Sequence, residues 1–229
     1  MKLSVRPVLA VCAVVSVVAG GAVASAAPAK VCNLTTDAKN DTFLVRAQDA
    51  QKAYGPQEDA LDIVSQDLGS DGKVLTAVIR VAKLATKIGS APGGTDYKTQ
   101  FTIPGQVATA ENFILNARTD GSGAPSYLLA LRTVVAQGQA ISKKVADATG
   151  TFDLVKNEVR ITVPLADIKS GSNVLAKGSV LTMAGLDQTS SRATVVNPAT
   201  GTATAAFADV ATTEKSFKLG TASCVVPGK

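Results

Sequence analysis

The 229-residue chain predicts an all-β fold, an antiparallel β-sandwich of jelly-roll-like or immunoglobulin-like type, forming a single domain behind an N-terminal signal peptide. Three observations carry that expectation. Apolar and polar residues alternate with period two in several short runs. Gly, Asp, Asn and Pro punctuate those runs where hairpin turns would fall. No long stretch sustains the 3.6-residue apolar period of a core helix.

Residues 1–26 stand apart from the rest. Lys2 and Arg6 precede the apolar run VLAVCAVVSVVAGGAVA, and Ala24-Ser25-Ala26 supplies a small-x-small cleavage pattern. The secreted, extracellular chain is expected to start at Ala27, leaving residues 27–229 as the sandwich and no membrane anchor after cleavage. A lipoprotein anchor needs a small residue before its acylated cysteine, whereas Val11 precedes Cys12 and Val31 precedes Cys32. Loss of Lys2 and Arg6 lowers an already modest formal charge of +5. The remaining bases are scattered, with Lys143-Lys144 their one adjacent pair, and the chain has no Trp, so nucleic acid is not an expected partner.

Of three cysteines, Cys12 leaves with the signal. Cys32 and Cys224 remain near the two ends, and in an exported protein they are expected to pair. A loop spanning almost the whole chain gives such a bridge roughly 4 to 5 kcal/mol in the chain-entropy treatment.

The elements follow in order. In ALDIVSQDLGSDGKVLTAVIRVAKL, Ala60 to Leu84, two β-rich runs flank Gly69-Ser70-Asp71-Gly72-Lys73, whose Asp-Gly pair suits a tight hairpin. Leu75, Ala77, Ile79 and Val81 form its inner face, with Val78 and Ala82 as apolar exceptions on the outer one. DYKTQFTI, TAENFILNART and SYLLALRTVVA read as further strands. FDLVKNEVRITVPL is a second hairpin about Lys156-Asn157, and GSVLTMAGLD and KSFKLG are later strands. PLADIKSGSN holds one helical turn, and DAQKAYGPQEDA is a short helix or a covering loop. Thr189 to Glu214, rich in Thr and Ala, reads as a long loop crossing one face or end of the sandwich.

Enzyme chemistry has little to build on. The absence of His removes Ser-His-Asp and Cys-His nucleophile systems and imidazole-based zinc sites. Ser70-Asp71-Gly72-Lys73 has Ser-x-x-Lys spacing but sits in a hairpin turn and lacks the partner motifs. A hydrolase working through paired carboxylates, such as Asp59 and Asp62, is the alternative from a different class.

The N-terminal Cys with its Asp-containing turn, LDI leading into the DGK hairpin, ITVPLADI and the closing SCVVPGK together resemble a family of small secreted actinobacterial proteins. Their sandwich is similar to family-9 carbohydrate-binding and DOMON-like modules. The resemblance implies a sandwich fold, export from an actinobacterium and no catalytic centre. Where members often carry Asp-x-x-Gly-Asp, this chain has Asp37-Ala38-Lys39-Asn40-Asp41, and Asn40 can still take the left-handed conformation of the Gly. The Trp residues with which such modules stack sugars are absent.

Calcium is the one cofactor with a case in the residues, because hard cations want six to eight oxygens. Asp37, Asn40 and Asp41 are candidate ligands, although the EF-hand pattern is not met, with Lys39 in the third position and Gln48 in the last. Asp62 and Asp209 are added on the resemblance alone. The competing reading is an Asx-type turn in which Asp37 and Asn40 bond their own backbone. The functional expectation is a non-catalytic module that binds an extracellular protein or a cell-envelope component, with a carbohydrate-binding module as a further alternative. Intact-mass measurement on exported protein should give a chain starting at or within a residue or two of Ala27. A membrane-bound species retaining Met1 would contradict it.

Overall fold

The structure is a computed structural model that describes residues 30–42, 58–85, 94–103, 112–119, 124–134, 140–170, 173–183, 191–196 and 203–229. The signal segment, the Ala27 cleavage point and nearly all of the stretch read as a helix or covering loop lie outside the described residues.

Two antiparallel sheets pack together as the alternation predicts. The first has five strands in the order β1-β2-β3-β9-β8: β1 (Thr35–Thr36), β2 (Ile63–Ser70), β3 (Val74–Val81), β9 (Glu158–Pro164) and β8 (Thr149–Asp153). The second has six in the order β14-β13-β4-β5-β6-β7: β14 (Ala203–Ala211), β13 (Ser191–Val196), β4 (Thr95–Phe101), β5 (Asn112–Thr119), β6 (Pro125–Val134) and β7 (Ala140–Asp147). Two small pairs complete the set, β10 (Lys169–Ser170) with β11 (Asn173–Val174), and β12 (Val180–Thr182) with β15 (Ser216–Lys218). A 3-10 turn at Leu165–Asp167 falls within the stretch expected to hold one.

The core is the period-two pattern made solid. Leu75, Ala77 and Ile79 of β3 lie opposite Val163, Ile161 and Val159 of β9, and all six are fully buried. From the other sheet come Tyr97, Phe101, Phe113, Leu115 and Leu129, also fully buried. The rings of Phe101 and Phe113 stack at 5.7 Å, and Phe152 meets Tyr97 edge-on at 5.7 Å. The Tyr97 hydroxyl donates to Ala60 O at 2.6 Å, which satisfies the one polar atom that this ring brings into the core. Val78 is buried on the outer face because the C-terminal residues run over its neighbours. Gly228 N donates to Thr76 Oγ1 at 2.9 Å, and Arg160 Nη1 donates to Lys229 O at 2.5 Å.

The 189–214 stretch is not a loop. It forms β13 and β14, a hairpin at the edge of the six-stranded sheet. Its small Ala and Ser side chains suit a crowded inner face but offer little hydropathy contrast, so alternation did not declare it. β7, AISKKVAD, also escaped notice. It is an edge strand whose residues Ile141 to Val145 are all exposed, so no buried face organises its sequence.

On the β7 side a single residue, Ala148, carries the chain from one sheet to the other. Just beyond this corner, a Cβ on Gly150 would sit 2.2 Å from Arg160 O and 2.5 Å from the Tyr127 ring. Because one of these neighbours is backbone, Gly150→Ala is expected to cost about 1 to 3 kcal/mol or more in chemical denaturation. The exposed neighbour Thr151→Ala should stay within about 0.5 kcal/mol.

Candidate metal centre

The opening segment of the described chain is a strap tied down at successive points. Cys32 and Cys224 form the expected disulfide, with Cα atoms 5.2 Å apart. Val31 N donates to Ala222 O, and Cys224 N donates to Val31 O. Leu34 N donates to Asp67 Oδ1 at 2.8 Å, and this carboxylate also takes Arg80 Nη1 at 2.6 Å. β1 then pairs with β2, and Asp37 N donates to Val64 O at 3.1 Å. Val64 falls at an irregularity in the β2–β3 register, between Ile63 and Ser65. Such bulges re-aim strand groups at sheet edges.

Asp209 arrives from the other sheet. It lies opposite Ala193, which itself lies opposite the core residue Tyr97, so Asp209 shares the inward face of edge strand β14. Its Oδ2 accepts Ile63 N at 2.5 Å and its Oδ1 accepts its neighbour Val210 N at 2.7 Å. Asp62 stands immediately before β2, held by Asp62 N donating to Glu58 O and Ala82 N donating to Asp62 O. Asp62 Oδ2 accepts Asn40 N at 2.8 Å, which fixes the carboxylate against the 37–41 loop.

The outcome is that one carboxylate oxygen from each of Asp37, Asp41 and Asp209 lies within 4.8 Å of the others. Oxygens that share a calcium ion at 2.3 to 2.6 Å can be at most about 5 Å apart, so this spacing meets the first condition for a shared ion. Asp62 borders the group, is 1% exposed, and leaves its Oδ1 with no partner among the described residues. Asp37 Oδ2 is likewise buried and unpartnered. Water-inaccessible carboxylate oxygens without donors are costly as they stand, and a cation between them would remove that cost.

Charge and burial act together here. Burial, then Asp41 and Asp62 nearby, pushes Asp37 up to about 6 against the Ala38 N–H that favours its ionised form. Burial pushes Asp209 up to about 7, opposed by the Ile63 and Val210 amides and reinforced by Asp37 and Asp41. Asp62 is raised as well, chiefly by burial, with Asp41 and Asp59 adding to it while the Asn40 N–H and Lys39 oppose. An all-oxygen, all-carboxylate donor set suits a hard cation, and calcium's tolerance of irregular geometry suits it better than magnesium's strict octahedron.

Of the carboxylates named from the sequence, Asp37, Asp41 and Asp209 lie together and Asp62 borders them. Asn40 contributes differently from what a ligand would, through its backbone N–H to Asp62, and it adopts the left-handed conformation at φ 66°. Asp37 Oδ1 accepts Ala38 N at 3.0 Å, a contact one residue on rather than the two-residue reach of an Asx turn. What sequence did not indicate is the role of the Ile63 amide and the Val64 carbonyl, because backbone groups leave no mark in a string of side chains. Ser70 and Lys73 sit in the β2–β3 turn, where Asp71 Oδ1 accepts Lys73 N and Val74 N. Comparison with protein-family models, with curated proteins and with solved structures found no match.

The cluster makes stability depend on pH with a definite sign. Asp37, Asp62 and Asp209 are raised in the fold above their ordinary value of 3.8, so the folded state holds more protons than the unfolded one between about pH 4 and 7. Their contribution is fully present below pH 4 and is lost as pH rises through 6 to 7. In chelator, unfolding free energy from this source should fall across that window, and Asp37→Asn should flatten the fall. A chelated wild type whose stability rises steadily from pH 4 to 7, with a slope that Asp37→Asn leaves unchanged, would contradict the assignment.

Proposed function

We propose that the protein is a secreted, non-catalytic module whose fold is completed by a calcium ion, and that it works outside the cell by binding an extracellular protein or a component of the cell envelope. The calcium half rests on the fully buried Asp62 Oδ1, without a partner and set beside three converging carboxylates. The binding half is supported by β7, an edge strand that leaves Ile141 54% and Val145 42% exposed around a depression of about 400 Å³ shared with Leu131, Thr133, Lys143 and Lys144. Exposed apolar side chains rimmed by charge are a common feature of protein-binding surfaces.

The other readings gain less. Tyr97, Phe101, Phe113 and Phe217 are buried and Tyr127 and Phe152 half-buried, so none of these rings is a fully exposed platform for stacking a sugar. The disulfide fits an oxidising compartment.

Calorimetric titration of chelator-treated protein tests the calcium half. Extracellular modules bind this ion with Kd around 10⁻⁴ to 10⁻³ M, so ~1 mM calcium should add about 0.4 to 1.4 kcal/mol. That corresponds to roughly 2 to 4 °C in Tm per kcal/mol. Asp41→Asn, at an exposed position, should abolish the gain while leaving the chelated Tm unchanged or raised. A wild-type melting curve indifferent to calcium and chelator would overturn the site. The binding half is tested by affinity capture from culture supernatant and cell-wall fractions, with Ile141→Asp and Val145→Asp as controls.

A further inference from the structure

We infer that the Cys32–Cys224 bridge and the calcium site are reciprocally coupled, so that the ion binds tightly only after the bridge has formed. This rests on the calcium reading above and adds to it a regulation of that site.

Only four residues, Asn33 to Thr36, separate Cys32 from Asp37. The bridge therefore fixes one end of a strap whose other end delivers Asp37 and Asp41. The remaining two carboxylates are set by the sandwich, although Asp62 Oδ2 also accepts Asn40 N from the strap. Asp209 is held by the Ile63 and Val210 amides, and Asp62 by backbone bonds to Glu58 and Ala82. Half of the acidic set is thus preorganised on the sandwich, and half must be brought to it.

Between the two anchors the strap is pinned at one place, where Leu34 and Thr35 are buried and Leu34 N donates to Asp67 Oδ1, and is held by less on either side. β1 is two residues long. Cys32, Asn33 and Thr36 are exposed, and the Asn33 and Leu34 carbonyls take side-chain donors at 3.3 Å, from Lys215 Nζ and Thr213 Oγ1. Opening the bridge removes the covalent tie of the clasp and leaves two backbone bonds there, Cys224 N to Val31 O and Val31 N to Ala222 O. With the bridge open, the ion must pay the ordering entropy of the strap on binding. With the bridge closed, that ordering has already occurred.

Linkage makes the effect symmetric, since whatever factor the bridge contributes to calcium affinity, calcium contributes to bridge stability. Couplings of this kind commonly amount to 5- to 150-fold. A chain still in a reducing compartment would then hold the ion weakly, and the site would mature on oxidation.

Two measurements read the same factor. Calcium Kd is determined by calorimetry on the oxidised wild type and on Cys32→Ser/Cys224→Ser, with a rise of at least fivefold expected in the variant. Separately, the bridge is equilibrated in graded dithiothreitol buffers with excess calcium or with chelator. In each, two dithiothreitol thiols lose two electrons and close to the cyclic disulfide, while the Cys32–Cys224 bond breaks to two thiols. Calcium should raise the dithiothreitol ratio needed for half reduction by that same factor. Should the double Ser variant fail to fold, this second measurement on the wild-type chain decides alone. Equal affinity with and without the bridge, or a half-reduction point indifferent to calcium in a protein that binds it, overturns the coupling and leaves the calcium site standing. Absence of calcium binding to the oxidised chain overturns the calcium reading itself.

Discussion

The Asp209 carboxylate accepting the amide of Ile63 joins the two sheets at an edge where no strand does. A sandwich has two lateral sides, and on each the sheets must be kept in register. On the β7 side the chain itself does this, turning from β7 into β8 over Ala148. On the β14 side the described residues form no such corner, and they close it with a carboxylate from one sheet, an amide from the other, and the strap laid beside them. The position of β2 against β14, and hence the geometry of all four acids, follows from that contact.

The arrangement also deals with an exposed edge. β2 would present unpaired backbone groups along its outer side, a template for unwanted strand pairing. β1 covers two residues of it, the irregularity at Val64 turns another carbonyl toward Asp37, and Ser223 Oγ donates to Leu68 O farther along. A Cβ on Gly69 would lie 2.6 Å from Val225 O, so the C-terminal segment also depends on a bare backbone at that point. The two ends of the described chain therefore guard the same strand, and the disulfide joins them where they meet.

How much of this was legible depended on contrast. Leu75 to Val81 and Val159 to Val163 alternate large aliphatic residues with polar ones, and both hairpins fell where that pattern put them. Ser191 to Val196 and Ala203 to Ala211 also form strands, paired with two register irregularities, but their inner face at Ser191 and Ala193 is small, so the pattern stayed faint and read as a loop. β7 failed for the opposite reason, since neither of its faces is buried over Ile141 to Val145. In the site, Asp37 and Asp41 were visible as neighbours in sequence. Asp62 and Asp209 were reached through a resemblance, because no local signal says that residues 147 positions apart share a pocket. The amide of Ile63 was beyond reach, as every residue but proline carries one.

Like charges converging at a buried edge would ordinarily weaken a fold, and this fold meets the problem in two ways. Protons are the first remedy, since burial lifts Asp209 to about 7 and Asp37 to about 6. They neutralise the cluster but cannot draw its members together, because a protonated carboxyl brings one short donor to one acceptor. A divalent cation does both, meeting Asp37, Asp41 and Asp209 at once and giving the orphaned Asp62 Oδ1 a positive neighbour. Regions held by few apolar contacts are the first to open. Beyond the buried Leu34 and Thr35 the strap is such a region, exposed from Ala38 to Asp41, whereas Asp209 and Asp62 belong to the sandwich proper. With the proposed ion in place, its loss would release Asp37 and Asp41 before it disturbed the core, and this edge, rather than the apolar interior, would be the place where solution conditions act on the molecule.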